Sequence, residues 1–412
     1  MINFWKKNKL LVIILLVCIF LLPSSLSQSS NNDTHLICVG LGIDLNTNGE
    51  FELSTQVIIP EETSSFKQKL QVYSATGESL HKCVQNLNMH VGKEPGLAHC
   101  TYVVVNENVL NGELLSCIDY LIRAYAINFN CAIIATDKTA KDILILSSSL
   151  NNSQGLEVPG LLDYNNDNIF SKRPNIETLY NSVLGGSPNY VLSIFSSSKK
   201  DNEGVKGQGE VPMGETNESQ GGEESKNKDD VLINTGKVAL MNKSQLINKI
   251  DISKSYGVRY INPKNKEFNL TLENFSDELY ENATIEFHSN KKQQINKYYF
   301  ENGTPTVELN LIQFITITGV NQKNYIKDYY SVDNKKFSQK LIDRITEKIK
   351  QEIFNGIDVL KQNNCDAVNI FNAFEKYQYN KFYQFLNSLE KKENYFQYVN
   401  FKINVKIEHY KE

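Results

Sequence analysis

Residues 196–230 constrain this chain more than any other stretch. Of these 35 residues only Val205, Val211 and Met213 are apolar, while six are Gly and fourteen are charged. Ordering a backbone costs roughly 1–2 kcal/mol per residue. A segment with so little to bury cannot offset that cost, so the sequence predicts disorder from Ser196 to Asp230. It divides 412 residues into two foldable blocks, and that total already exceeds one ordinary domain. The blocks are residues 34–195 and 231–412. The second is expected to hold two subdomains, which makes three compact domains in all.

The N-terminus is a third kind of material. Lys6, Lys7 and Lys9 precede an apolar run from Leu10 to Leu22, and Pro23 and small residues follow. Thirteen residues at about 1.5 Å each reach about 20 Å, short of the roughly 30 Å of hydrocarbon that a spanning helix must cross. This is the pattern of an export signal over residues 1–27, with Ser25-Leu26-Ser27 as a small-x-small cleavage site. An uncleaved N-terminal anchor with the body outside remains open beside cleavage. The chain carries 43 basic and 47 acidic residues, a net −4. Removing residues 1–27 takes three lysines and no acid, leaving −7. That balance gives no reason to propose nucleic-acid binding and disfavours a polybasic membrane contact.

In the first block Leu36–Ile43 reads as a strand, Asn46-Thr-Asn-Gly49 as a turn, and the return strand starts at Glu50 and ends at Pro60. A helix follows with Ser79 as its N-cap and Leu80, Cys83, Val84 and Leu87 on one face. Then come strand 101–105, helix 114–125, strand 131–135 and a short helix over 139–146. In the second block, 231–240 reads as a strand broken at Gly236. Strands over 284–287, 295–300 and 307–317 follow, with Asn302-Gly303 as a turn. The longest helix is expected over about 334–362, where Phe337, Leu341, Ile345, Ile349, Ile353 and Ile357 repeat every four residues, widened by Ile342 and Phe354. Each step overshoots a turn by about 40°, so the stripe winds and should meet different partners at its two ends. Val399, Phe401, Ile403, Val405 and Ile407 then alternate with polar residues as a half-buried strand. Strands alternating with helices give an α+β (mixed α/β) chain of sheets packed by helices.

Chemistry is hard to find. His99-Cys100 is the only adjacent His/thiol pair, but neighbours on an extended chain point to opposite faces, so this His is badly placed to activate this Cys. The other histidines are scattered, and no metal-binding, phosphate-cradling or nucleophile-elbow motif occurs. Gly40-Leu-Gly42 lies inside a strand with no third Gly. Six of the seven cysteines follow the apolar run, with no C-x-x-C pair. They read as small buried hydrophobes, although export would permit disulfides. No catalytic residue, metal or cofactor is expected.

Several segments in order resemble one family. Val39-Gly-Leu-Gly-Ile-Asp44 followed by Phe51-Glu-Leu-Ser-Thr-Gln-Val57 is similar to the opening of the Ger(x)C proteins, the C subunits of spore germinant receptors. Gly77-Glu-Ser79-Leu80 resembles that family's helix start. His99-Cys100 before a Val-rich strand, Arg123 within a helix and Ala140 to Leu144 match its next segments. Gly236-Lys-Val-Ala-Leu resembles its "G-x-A-x-F" strand, and Asp366 stands where the family carries an Asp. The resemblance covers about 36–190 and 231–408. Its pattern positions are thus Gly40, Gly42, Asp44, Gly77, Ser79, Leu80, His99, Arg123, Gly236 and Asp366, structural or interface residues rather than catalytic ones.

Two departures stand out. The family is usually lipidated on a Cys followed by Trp, about fourteen residues before the glycine matched by Gly40. Counting back reaches Leu26, where the chain has no cysteine; Cys18, preceded by bulky Val17, is the candidate for lipidation. The family's tryptophans before the last strand are also missing, and Phe382 and Leu389 fall near those places. The resemblance implies a non-catalytic, membrane-associated subunit on the outer face of the spore inner membrane, working with A-type and B-type membrane subunits. The alternative is an unrelated exported binding protein, solute-binding or adhesive.

Overall fold

A computed structural model of the chain describes residues 35–60, 68–150, 158, 160, 174–199, 231–262, 268–321 and 337–409. The expected export signal with Cys18, and most of the stretch expected to be disordered, lie outside the described residues.

The first half opens with β1 (His35–Leu45) and β2 (Phe51–Pro60). Their turn closes as the sequence predicts: the Asn46 carboxamide oxygen accepts from the backbone N–H groups of Asn48 and Glu50, and Gly49 takes φ 83°. Next come β3 (Gln68–Gly77), α1 (Leu80–Val91), β4 (Glu94–Gly96), β5 (Tyr102–Asn106), α2 (Leu114–Tyr125), β6 (Ala132–Thr136) and α3 (Ala140–Leu150). Helix α4 (Ile176–Leu184) and strand β7 (Asn189–Lys199) precede the polar stretch. Strands β8 (Val231–Asn242) and β9 (Gln245–Asp251) follow it.

All nine strands form one mixed sheet in the order β3-β2-β1-β5-β6-β7-β8-β9, with β4 beside β1. Strands β1, β5, β6 and β7 run parallel, as connections through helices require, and the flanking pairs are antiparallel. Strand β5 alternates across it: Val103 and Val105 face a core shared with α1, α2 and α4, while Tyr102 and Val104 face α3. The polar stretch therefore joins two neighbouring strands of one sheet. Strand β7 continues to Lys199, which pairs with Val231, so Ser196 to Lys199 are strand rather than linker. Residues 231–251 belong to the first sheet although they follow the segment expected to separate two units. At Gly236 strand β8 is not broken; the register with β7 shifts there and the strand goes on.

After the one-turn helix α5 (Val258–Ile261) come β10 (Phe268–Phe275), β11 (Ala283–Glu301) and β12 (Thr304–Asn321). Helices α6 (Gln339–Gln362) and α7 (Ile370–Ser388) and strand β13 (Asn400–His409) complete the chain. The second sheet runs β10-β11-β12-β13, with β13 parallel to β12. The two strands expected over 284–300 are one strand with a register shift between His288 and Lys291. Asn302 and Gly303, at φ 49° and 79°, make its tight turn into β12. Ser338 caps α6 by accepting from the Leu341 N–H at 3.0 Å. Leu341, Ile345, Ile349, Ile353 and Ile357 are buried on the second sheet, each such side chain stabilising by about 1.5–3 kcal/mol. Leu360, one turn on, enters a different core with β8 and α7. Phe354 does not widen the stripe; it stays 42% exposed. Both sheets thus meet through the last turns of α6 and through α7.

A candidate functional site at the junction of the two halves

The ten positions singled out in the sequence fall in separate places. Gly40 lets β1 approach the Tyr102 ring, since a Cβ there would lie 2.5 Å from it. That ring's hydroxyl donates to the Gln56 carboxamide within a buried cluster that includes Ser147. Gly42 makes similar room for Ala140 and Leu144 of α3. Asp44 caps the same helix: Oδ1 accepts from the Ala140 N–H at 2.7 Å and Oδ2 from the Lys141 N–H at 3.1 Å. Gly77, Ser79 and Leu80 start α1. The Ser79 hydroxyl accepts from the Lys82 N–H at 3.3 Å, Leu80 is buried, and Gly77 lies against the Cys83 N–H.

His99 and Arg123 are both exposed and line one surface groove with Leu36 and Ile37 beside the start of β1. Arg123 pairs with Asp119 at 2.8 Å one turn away. Cys100 is buried and its thiol donates to the Tyr102 carbonyl at 3.2 Å, whereas His99 is exposed. The described cysteines are all buried and unbridged, and among the described residues no group of three or more His, Cys, Asp or Glu side chains is placed to hold a metal ion. Gly236 is exposed on β8.

Asp366 is different, because it ties the two halves of the chain together. It is fully buried in the turn between α6 and α7. Oδ1 accepts from the Ile370 N–H and Oδ2 from the Phe371 N–H, both at 2.8 Å, so the carboxylate caps α7, where orphan N–H groups and the helix dipole favour negative charge. The Tyr395 hydroxyl also donates to Oδ2. Its backbone is held by the first half: the Asp366 N–H donates to the Asn189 carboxamide oxygen at 3.2 Å, and the Ser187 hydroxyl donates to the Asp366 carbonyl at 3.2 Å. Asn189 in turn donates to the Met241 carbonyl of β8 at 3.4 Å. Burial pushes the Asp366 carboxyl up to about 6, against the lowering pull of its hydrogen bonds.

One close backbone approach supports this contact. At Gly186 a Cβ would stand 2.0 Å from the Phe371 ring, and the Gly186 N–H donates to the Asn372 carboxamide at 3.3 Å. Within the second half, a Cβ at Gly257 would stand 1.7 Å from the Glu352 carbonyl, so α5 rests directly on α6. Arg259 lies over the rings of Tyr256, Tyr260 and Phe268 and reaches Glu352 at 3.6 Å. Around Asp366 the core is aromatic: Phe371 and Phe382 meet edge to face at 5.1 Å, and Tyr395 packs edge-on to both. Sequence reading singled out Asp366 but none of its partners. Gly185-Gly186-Ser187-Pro188 was a legible sign of a tight approach, while the link from Asn189 to Asp366, 177 residues apart, left no local mark.

Two family profiles match this chain in order. The spore germination protein N-terminal domain matches residues 32–197, and the spore germination B3/GerAC-like C-terminal domain matches residues 236–409. The chain is a member of the Ger(x)C family. Members are C subunits of spore germinant receptors. The first match ends inside β7 and the second starts inside β8, so the hydrogen bonds between those two strands join the family's two domains. The Ger(x)C chain also resembles the crystal structure of the GerBC protein, at 11% identity and a TM-score of 0.50 over 90% of this chain and 97% of that one. That likeness is one of fold. Among curated proteins nothing matches the chain significantly.

Proposed function

We propose that this protein is the non-catalytic, extracytoplasmic C subunit of a spore germinant receptor and acts with A-type and B-type membrane subunits in nutrient-triggered germination. The observation that carries the reading is the ordered match of both family domains, which share the first sheet through β7 and β8 and meet in one packed junction. A subunit of this kind works by holding surfaces in fixed relation, and the Asp366 junction supplies that rigidity between its halves. The body sits on the outer face of the spore inner membrane, held there by its N-terminal residues or by its partners. None of the described helices is long and apolar enough to cross a membrane. Within this reading Gly40, Gly42, Asp44, Gly77, Ser79, Leu80, Gly236 and Asp366 serve the fold, and the exposed His99 and Arg123 serve a partner contact.

Affinity purification of the tagged protein from spore membranes tests this. The expected result is co-recovery of an A-type and a B-type subunit, together with loss of the nutrient response in spores lacking the gene. Recovery of neither subunit, with a normal response in the deletion, contradicts it.

A further inference from the structure

Three cysteines meet inside the core of the first sheet. Cys38 of β1, Cys100 just before β5 and Cys131 just before β6 are 0%, 3% and 1% exposed and belong to one core cluster. The strand register brings them to one level of the sheet, with Gly40 opposite Tyr102 and Tyr102 opposite Ala132. The Thr101 backbone ties the three segments together there. Its N–H donates to the Val39 carbonyl and its carbonyl accepts from the Ala132 N–H, each at 2.9 Å. The Cys131 thiol donates to Cys100 Sγ at 3.9 Å, and Cys38 hydrogen-bonds to the same sulfur. Cys100 is therefore the central sulfur of a row of three. A lone buried cysteine is a small hydrophobe, but sulfurs in contact on neighbouring strands have a chemistry that isolated ones lack.

We propose that Cys100 and Cys131 form a redox site that hydrogen peroxide closes into a disulfide, with Cys38 as a third, exchanging thiol. The backbone suits the bond. Neighbouring strands run about 4.8 Å apart, and bridged cysteines have Cα atoms roughly 4.4–6.8 Å apart. The two sulfurs must close from 3.9 Å to about 2.05 Å, which side-chain rotation can supply. Peroxide is a small, neutral oxidant, as a site closed to bulk solvent requires. The Cys100 thiolate attacks one peroxide oxygen and the O–O bond breaks. The departing hydroxide takes up the proton that Cys100 gave up and leaves as water. The Cys131 sulfur then attacks the sulfenic sulfur, its proton goes to the leaving oxygen, and a second water departs. Two thiols thus pass two electrons and two protons to one peroxide. Attack of Cys38 on the Cys100 sulfur moves the bridge to Cys38–Cys100 and releases Cys131 as its thiol. Either bond cross-links strands far apart in the chain, by 31 positions for Cys100 and Cys131, and so stabilises the centre of the sheet. Ile37 and His99, the chain neighbours of Cys38 and Cys100, line the groove beside β1, so oxidation acts one residue from that surface. The inference rests on the three sulfurs alone and stands or falls apart from the receptor reading.

The test is thiol mapping on the full-length protein. The reduced chain is treated with hydrogen peroxide without denaturant, blocked with N-ethylmaleimide in urea, digested and read by mass spectrometry. The expected result is one intrachain bridge between the Cys100 and Cys131 peptides, lighter by two hydrogens and reversed by dithiothreitol. Cys365, in a different core, should stay free. In Cys131→Ala the bridge should pass to Cys38–Cys100, and in Cys100→Ala neither bridge should form. Oxidation should raise the urea midpoint of the wild type and leave that of Cys100→Ala where it was. If a variant fails to fold when reduced, the wild-type map still decides. Three thiols that stay free, a bridge that forms only after unfolding, or a bridge between other cysteines instead would each overturn the proposal.

Discussion

Asp44 and Asp366 carry out the same local chemistry in two different regions of the molecule. Each is buried, each accepts two backbone N–H groups at the start of a helix, and burial pushes each up to about 6. Asp44 joins a strand to a helix that covers that strand's own sheet. Asp366 caps α7 while its backbone is held by Ser187 and Asn189 from the other half, and its carboxylate also takes the Tyr395 hydroxyl. The difference teaches that a capping residue becomes a joint when its backbone N–H and carbonyl are held by another part of the chain. Loss of one should be local; loss of the other should be felt in both halves.

The sharpest way to break this comparison is to delete each carboxylate. Asp366→Ala leaves two helix N–H groups and the buried Tyr395 hydroxyl without their acceptor, and should cost about 3 kcal/mol or more in urea unfolding. Asp44→Ala loses two N–H acceptors at a helix start with no buried phenol behind them, and should cost about 2 kcal/mol. Equal costs would remove the distinction.

The pH dependence sharpens it further. Both carboxyls have folded-state values near 6, above the ~3.9 of an unfolded aspartate. Folding therefore favours their protonated forms. The stability each adds is complete below about pH 4 and is lost as pH rises through about 6. Relative to Asp44→Asn and Asp366→Asn, which stay neutral, the wild type should lose on the order of 2 kcal/mol per site between pH 4 and pH 7. A parallel pair of urea-midpoint profiles would refute this. The smallest effect is a control far from both sites: Ser79→Ala, which removes the α1 cap, should cost about 1 kcal/mol at every pH in that range.

Much of the fold was legible because local chemistry specified it. Asn302-Gly303 gave the hairpin, the four-residue repeat gave α6, Ser79 gave the start of α1, and strict alternation gave β13. Strand β3 leaves little mark in the sequence because it is an edge strand in which, from Leu70 to Gly77, only Leu70 and Ala75 are buried. Helix α7 carries no clear period because Gln378 takes non-helical angles, φ −139° and ψ 34°, so its aromatic residues keep no single phase across the kink. The composition of the polar stretch forbids a core and so marks it as a divider between units. Composition says nothing about whether its two ends pair, and β7 and β8 do. The junction escaped for the same reason. Asn189 and Asp366 are each unremarkable in sequence, and only the sheet's continuation past residue 230 brings them together.

Native-state hydrogen exchange of Asp366→Ala against wild type tests the central claim directly. If Asp366 is a joint, protection falls together in α7 and at the facing ends of β7 and β8, while α3 and the Asp44 cap keep theirs. Loss confined to the first turn of α7, with β7 and β8 unchanged, would contradict it.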